Sequence, residues 1–256
     1  MHRKLLREMF EAGVAACRPE RVLPPDLPRP PPGRTVAVAV GKAAAAMAES
    51  LEAHWPWPLA GLAVAPGGTA VRLERIGLAH AAHPLSDAAS LAAAERLLAL
   101  AREAGPDDLV LVLLSGGASA LACLPGDGLT LEEKSALTQA LLRSGAPIGE
   151  VNCVRRHLSR IKGGRLGAAA APAQLATLAI SDVVGDRAED IGSGPTAPDP
   201  TTVADARAVL HRYGIAAPAA GWSESVKRLA GDYRIVARNA DALRAAAAVA
   251  ARAGYE

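Results

Sequence analysis

Aromatic residues are scarce in this sequence: Phe, Trp and Tyr together make up 3% of the 256 residues. Few side chains are therefore available on which nucleic-acid bases could stack, and a base-stacking platform is not expected. The formal net charge is only +2, so no broad electrostatic field favours nucleic acid or an anionic membrane. With so few rings, the core must be built from Ala, Val, Leu and Ile.

Cysteine is also rare, and long apolar runs are missing. Cys17, Cys123 and Cys153 are widely spaced and form no Cys-x-x-Cys pair, which indicates a reducing compartment and no structural zinc. No stretch reaches ~18 uncharged apolar residues, and the N-terminal segment lacks the unbroken apolar run of a signal peptide. We therefore expect a cytoplasmic protein with neither a membrane nor a nucleic-acid partner.

Short apolar strands alternate with helical patterns along the chain. Residues 1–23 are predicted to be helical, and residues 24–33, which include six prolines, form a stiff connector. Beyond it we predict strands at 36–40, 62–65, 109–114, 175–180 and 234–237. Helices are predicted at 43–54, 131–144, 151–161, 202–213 and 240–253, and a further helix, capped by Ser86 or Asp87, runs to about residue 103. This alternation predicts an α/β fold of three layers, with a mostly parallel sheet covered by helices on both faces.

In such sheets, ligands bind beyond the carboxyl ends of the strands, so the residues that follow each strand are the candidates for function. The first strand runs into Gly41 and Lys42, and this lysine can reach an anion bound at the start of the next helix. The segment is not a Walker A loop, because Val36 stands where the first Gly belongs and Ala43 replaces the Ser or Thr. The alternative is a solvated lysine at a helix start.

A glycine-rich turn follows the buried strand at 109–114. Ser115, Gly116 and Gly117 make a tight turn whose exposed N–H groups suit phosphate or carboxylate oxygens. The alternative is a plain turn between a strand and a helix.

A basic segment lies in the predicted helix at 151–161. At ~100° per residue, Arg155, Ser159 and Lys162 fall on one stripe beside an apolar one. Two cations and a hydroxyl on one side suit a polyanionic ligand, although a solvated basic face is the alternative. His157 has no carboxylate partner nearby in the sequence, so we expect it to be structural.

Carboxylates follow the strand at 175–180. Asp182 and Asp186 lie in one loop, and carboxylates at a strand end are oxygen ligands for Mg²⁺, which also binds phosphates. The alternative is that both aspartates cap turns. Cations, hydroxyls, N–H groups and carboxylates at one edge of a sheet together favour phosphoryl transfer. Hydride transfer and serine hydrolysis are disfavoured, because neither Gly-x-Gly-x-x-Gly nor Gly-x-Ser-x-Gly occurs.

The sequence resembles the glycerate 2-kinases, also called type II glycerate kinases and formerly labelled hydroxypyruvate reductases. The resemblance covers about residues 5–255, although Ala118 stands where the family usually has Gly and Cys153 where it often has Thr. The shared motifs are Val-Gly-Lys-Ala at 40–43, His-Pro-x-x-Asp at 83–87, Leu-Ser-Gly-Gly-x-Ser-Ala-Leu at 114–121, Leu-Leu-Arg-Ser-Gly-Ala at 141–146, Val-Arg-x-His-Leu-Ser-x-Ile-Lys-Gly-Gly-Arg-Leu at 154–166, Ser-Asp-Val at 181–183, Ser-Gly-Pro-Thr at 193–196 and Pro-Asp-Pro-Thr-Thr at 198–202.

The resemblance implies that ATP and glycerate react to give 2-phosphoglycerate and ADP, with Mg²⁺ or another divalent cation as cofactor. It implies a Rossmann-like large domain over residues 1–256, without the family's smaller second domain, and a catalytic role for Lys42. We therefore expect these residues alone to fold and to bind anions, but not to phosphorylate glycerate at a useful rate. Self-association is left open. The alternatives are a hydroxypyruvate reductase and a non-catalytic anion-binding module.

The remaining roles are physical assignments within that framework. Substrate or phosphate binding is assigned to the glycine-rich turn and the basic segment, and metal binding to the aspartate loop. The substrate- or phosphate-binding residues are Ser115, Gly116, Gly117, Ser119, Asn152, Arg155 and Lys162, and the metal ligands are Asp182 and Asp186.

Overall fold

Six parallel strands form one sheet in the computed structural model, which describes residues 2–255. Met1, the first residue of the predicted N-terminal helix, and Glu256 lie outside the described residues. The sheet order is β3-β2-β1-β4-β5-β6, the strand order of the Rossmann fold, so the predicted α/β three-layer architecture is confirmed. The strands are β1 Thr35–Val40, β2 Leu59–Pro66, β3 Ile76–Ala81, β4 Leu109–Leu114, β5 Gln174–Ser181 and β6 Asp232–Arg238.

Helices cover the sheet and form a third cluster beside it. They are α1 His2–Ala16, α2 Pro19–Val22, α3 Ala44–His54, α4 Ala88–Arg102, α5 Ala118–Leu121, α6 Leu131–Arg143, α7 Ile148–His157, α8 Arg165–Ala169, α9 Val203–Arg212 and α10 Asn239–Arg252. Short 3-10 turns occur at Pro24–Asp26 and Ile191–Ser193. Within residues 2–255, no helix is both long and apolar enough to cross a membrane.

The two faces of the sheet are buried by different helices. Successive side chains of a strand point to opposite faces, so Val38 packs towards α4 while Ala39 packs towards α3. All six residues of β1 and of β4 are buried, as expected for central strands covered on both sides. A separate cluster joins α6, α7 and α9 through residues such as Leu141, Val154 and Leu210.

Several helices begin where a side chain accepts a hydrogen bond from the first turn. Asp87 caps α4 by accepting from the backbone N–H of Ser90, in agreement with the helix start predicted from the sequence. Thr130 and Thr202 cap α6 and α9 in the same way. These caps fix the positions at which α4, α6 and α9 begin.

The structure departs from the sequence predictions at β3 and at the helix predicted over 151–161. β3 was missed because it is an edge strand, largely half-exposed and interrupted by Gly77 and His80. The helix predicted at 151–161 begins earlier, at Ile148, and ends at His157. It ends there because the Ser159 hydroxyl accepts hydrogen bonds from the N–H groups of residues 161 and 162, at 3.2 Å each, which compete with a further helical turn. Arg155, Ser159 and Lys162 therefore do not form a helical stripe.

The N-terminal segment is also less regular than predicted. The helix over residues 1–23 is divided into α1 and α2, and Pro19 stands at the first position of α2, where a missing N–H costs nothing. The proline-rich connector contains a short 3-10 turn at Pro24–Asp26 and is otherwise without regular structure until β1.

Candidate active site

The sheet reverses its winding direction between β1 and β4. From β1 the chain proceeds to β2 and β3 on one side, and from β4 to β5 and β6 on the other. In open α/β sheets this reversal leaves a crevice at the carboxyl ends of the two strands, where ligands bind. Lys42 follows β1, Gly116 follows β4 and Asp182 follows β5, so the structure brings these three predicted site residues to this crevice.

The loops after β1 and β4 are joined by hydrogen bonds. The Lys42 N–H donates to the Gly116 carbonyl at 2.8 Å, and the Ala43 N–H donates to the Ser115 hydroxyl at 3.0 Å. A Cβ at Gly41, whose φ is +136°, would lie 2.1 Å from that same hydroxyl oxygen. The Ser115 side chain is therefore buried and holds the Lys42 loop, whereas the sequence analysis assigned it to ligand binding.

Lys42 and Asp182 meet in front of this loop. The Lys42 ammonium lies 3.4 Å from a carboxylate oxygen of Asp182, and both side chains are more than half exposed. A Cβ at Gly116 would lie 2.0 Å from the same carboxylate oxygen, so only glycine allows Asp182 to approach. An exposed ion pair contributes little to stability, and both charges are accessible to a ligand.

His83 completes this group. Gly117 has a φ of +88°, and a Cβ there would lie 3.1 Å from the His83 Nε2 and 3.2 Å from the Lys42 Cγ. His83 belongs to the His-Pro-x-x-Asp motif at 83–87, for which no role was predicted from the sequence. The signal was available, because His83 comes two residues after the end of β3, but that strand had not been recognised.

A cavity of about 160 Å³ lies beside this edge, between the 84–86 loop, α5, α6 and α7. Arg155, Lys162 and Lys134 line it. Arg155 and Lys162, both predicted to bind an anion, therefore lie close together, although Lys162 lies beyond the end of α7 and not on the same helix. The Lys162 ammonium donates to the Ala122 carbonyl at 2.9 Å, and that of Lys134 donates to the Leu158 carbonyl. Burial lowers the pKa of Lys162 to about 7 and that of Lys134 to about 8.

A protein-family model described as "Domain of unknown function (DUF4147)" matches residues 5–228. The chain belongs to the DUF4147 family. It is 48% identical over 98% of its length to a "putative hydroxypyruvate reductase" of Agrobacterium vitis, and 40% identical over 88% of its length to the "D-glycerate 2-kinase" of Thermotoga maritima. It spans 60% and 54% of those relatives, respectively. The resemblance to the glycerate 2-kinases is thereby confirmed.

The fold of this DUF4147 chain is also similar to a solved structure. A crystal structure of a glycerate kinase from Thermotoga maritima superposes with a TM-score of 0.88 at 36% sequence identity. The match covers 99% of this chain and 63% of the other. The Rossmann-like architecture therefore extends through essentially the whole of the described chain.

Asn152 lies in a buried network of the DUF4147 domain. Its side-chain amide donates to Asp190 at 3.1 Å, and its carbonyl oxygen accepts from the Ser193 hydroxyl at 3.1 Å and from Arg155 at 3.4 Å. The hydroxyls of Ser193 and Ser119 lie 2.8 Å apart. Asn152 therefore orients the Arg155 side chain through a hydrogen bond. Ser119, which lines the cavity, joins the same network through the Ser193 hydroxyl.

The two predicted metal ligands, Asp182 and Asp186, contact different residues. Asp186, at a φ of +51°, pairs with Arg238 at 3.5 Å, whereas Asp182 pairs with Lys42. Among residues 2–255, no group of three or more His, Cys, Asp and Glu side chains is placed to hold a metal ion. Mg²⁺ bound to phosphates usually takes one or two carboxylates and keeps several waters, so the exposed Asp182 fits such a ligand better than Asp186.

Arg156 and His157 of α7 are buried in the interior of the DUF4147 domain. The two ring nitrogens of His157 lie 2.9 Å and 3.1 Å from the carbonyl oxygens of Cys153 and Thr201, and burial lowers the pKa of this histidine. Arg156 forms a buried ion pair with Asp199 at 2.9 Å. His157 is fully buried, in agreement with the structural role expected from the sequence.

Proposed function

We propose that this chain takes part in ATP-dependent phosphorylation of glycerate, giving 2-phosphoglycerate and ADP. The observation that carries the proposal is the placement of Lys42 and Asp182 together at the winding reversal of the sheet, next to the glycine-rich turn. The substrate is indicated by the name of the Thermotoga maritima D-glycerate 2-kinase, which is 40% identical to this chain. Because the chain spans 54% and 60% of two relatives, we also propose that it corresponds to their large domain.

Each charged group at this edge has a role in the transfer. The Lys42 ammonium stabilises the negative charge that develops on the equatorial oxygens of the transferring phosphoryl group. The N–H groups of Gly116 and Gly117 face the phosphate oxygens, as in other glycine-rich anion sites. Asp182 is the carboxylate that would hold Mg²⁺, which would supply positive charge to offset that of the phosphates.

The bond changes balance without a further reactant. The 2-oxygen of glycerate forms a bond to the γ-phosphorus, and the bond from that phosphorus to the bridging oxygen of ADP breaks. The proton of the 2-hydroxyl must then pass to a base. The His83 imidazole, next to Gly117 and the Lys42 stem, is the group that we assign to this step.

A reductase acting on hydroxypyruvate is the second candidate, because the Agrobacterium vitis relative carries that name and the sheet has the Rossmann strand order. A nicotinamide cofactor would need a glycine-rich turn after β1 that admits a pyrophosphate. The turn here contains only Gly41, and its N–H donates to the Val64 carbonyl. The kinase is therefore favoured.

The two candidates are separated by parallel assays of the purified chain. One assay supplies ATP, Mg²⁺ and glycerate and follows ADP release, with ³¹P NMR to identify 2-phosphoglycerate; the other supplies NADH and hydroxypyruvate. The Thermotoga maritima glycerate kinase is the positive control. We expect glycerate-dependent ADP release, slower than that of the control by at least about tenfold, because this chain spans 63% of that kinase. Oxidation of NADH without ADP release would favour the reductase.

A further inference from the structure

The cavity beside the 84–86 loop contains three cationic groups and no acidic one. Lys134 and Lys162 are 3% and 2% exposed, and the side chain of Arg155 reaches the same space. No Asp or Glu is among the residues that line the cavity. Its polar lining otherwise consists of hydroxyls and a thiol, from Ser86, Ser119, Ser135, Thr138 and Cys123.

The three cations have no counter-charge within residues 2–255. None of the ion pairs there includes Lys134, Arg155 or Lys162. Both ammonium groups donate to backbone carbonyls, and Arg155 makes one long hydrogen bond, at 3.4 Å, to Asn152. The hydrogen-bond partners of these three cations are therefore neutral groups, namely backbone carbonyls and the Asn152 side chain.

Burying a charge without an opposite charge costs free energy, and proteins rarely keep such groups unpaired. The cost is visible in the lowered pKa values of both lysines, for which desolvation is the largest cause. An anion inside the cavity would offset this cost for all three cations together. The cluster is therefore suited to a negatively charged ligand.

The size and the lining of the cavity define the class of anion. Pockets for drug-sized ligands measure about 300–1,000 Å³, so a cavity of about 160 Å³ admits a small acid rather than a nucleotide. Arg155 can bind a carboxylate through two parallel N–H groups, and the hydroxyls can bind those of a hydroxy acid. The cavity adjoins the catalytic edge, because Pro84 follows His83 and Ser119 follows Gly117 by two residues.

We propose that this cavity binds the carboxylate of the acceptor acid, with Lys134, Arg155 and Lys162 as its cationic ligands. The proposal rests on the proposed function, because it identifies the acceptor as a small hydroxy acid. Lys134 is the new element, since no sequence pattern places it beside the other two. The carboxylate anchors one end of the acid, and its hydroxyl end extends towards the Gly117 turn and Lys42.

Calorimetric titration of the chain tests the proposal with four probes: glycerate, glycerol, inorganic phosphate and Mg-ATP. We expect glycerate to bind and glycerol, which lacks the carboxylate, not to bind. Arg155→Gln should weaken glycerate binding by about tenfold or more, the effect of losing a charge-assisted pair, and leave Mg-ATP binding within about twofold. Arg143→Gln, which changes an exposed arginine at the end of α6, is the matched control and should leave all four titrations unchanged.

Several results would overturn the proposal. Unchanged glycerate affinity in Arg155→Gln, or no glycerate binding to the unmodified chain, would do so. Weaker Mg-ATP binding with unchanged glycerate binding would assign the cavity to the nucleotide, as would phosphate binding more tightly than glycerate. If Arg155→Gln does not fold, Thr138→Val removes a hydroxyl that lines the cavity and should weaken glycerate binding while Mg-ATP binding stays the same.

Failure of this proposal is distinguishable from failure of the proposed function. Arg155-dependent binding of glycerate without ADP release would leave the carboxylate site standing and remove the kinase. ADP release with an unchanged KM for glycerate in Arg155→Gln would support the kinase and rule out the carboxylate site.

Discussion

The ammonium of Lys42 lies 3.4 Å from the carboxylate of Asp182, although 140 residues separate them in the sequence. The two side chains follow β1 and β5 and meet in front of β4, which lies between these strands. Gly116 makes the approach possible, because any Cβ at this position would collide with the carboxylate. A cation, a carboxylate and a glycine-rich turn thus share one edge of the sheet, as phosphoryl transfer requires.

Replacement of Asp182 is expected to change the response to divalent metal. Asp182→Asn keeps the shape of the side chain but removes the charge that would bind Mg²⁺, so the Mg²⁺ concentration for half-maximal Mg-ATP binding should rise about tenfold or more. Asp186→Asn is the comparison, and its effect should be smaller because Asp186 is already paired with Arg238. Superimposable Mg²⁺ titrations for Asp182→Asn and the unmodified chain would show that this carboxylate does not serve the metal.

A methyl group at position 116 should displace Asp182. In Gly116→Ala the new Cβ would lie 2.0 Å from the carboxylate oxygen, so the loop or the aspartate must move. We expect Mg-ATP affinity to fall about tenfold or more while the secondary structure seen by circular dichroism is kept. Gly67→Ala is the control, because no atom lies within 4 Å of the Cβ that it introduces. Equal Mg-ATP affinity in both variants would contradict the close packing described here.

The central part of this site was predictable from the sequence because the strands that lead to it, β1, β4 and β5, have clear apolar patterns. The uniformly apolar run at 109–114 gave β4, and parallel strands bring Lys42, Gly116 and Asp182 to the same edge. His83 received no role because β3, an edge strand of weak apolar pattern, was not recognised. The true course of the chain after α7 was also missed, because it depends on the hydrogen bonds of the Ser159 hydroxyl.

The cavity was less accessible to sequence reasoning. Lys134 follows Glu132 and Glu133 in α6 and has the pattern of a solvated helix face, yet it is 3% exposed. Its burial results from the packing of α6 on α7, where its ammonium reaches the Leu158 carbonyl. The periodicity of the sequence does not predict that contact, so Lys134 could be recognised as the third cation of the cavity only from the structure.

Stability of the ligand-free chain should rise with pH. Burial lowers the pKa of Lys162 to about 7 and of Lys134 to about 8, whereas an unfolded lysine keeps its proton to about pH 10.4. Arg155 lowers both pKa values further, and Cys123 raises both. Arg165 also lowers the pKa of Lys134, and Lys134 lowers that of Lys162. Between about pH 7 and 10 the unfolded chain therefore binds more protons than the folded chain, and the free energy of unfolding increases with pH.

Urea denaturation at pH 6.5 and pH 9 measures this dependence. Lys134→Met should reduce the difference between the two pH values, because one of the two titrating groups is removed. Glycerate affinity should change in the opposite direction and weaken as the pH rises, because the ammonium groups lose their charge. An identical pH dependence in Lys134→Met and the unmodified chain would mean that Lys134 titrates normally.

The most direct test of the account is the effect of Lys42→Ala on glycerate-dependent ADP release. We predict that kcat falls by at least ~10²-fold, the scale of removing one charge-stabilising group, while the thermal unfolding midpoint stays the same because the Lys42 side chain is half exposed. Lys4→Ala, at an exposed position of α1, is the control and should leave kcat unchanged. A Lys42→Ala variant that retains the kcat of the unmodified chain would contradict the assignment of phosphoryl transfer to this edge of the sheet.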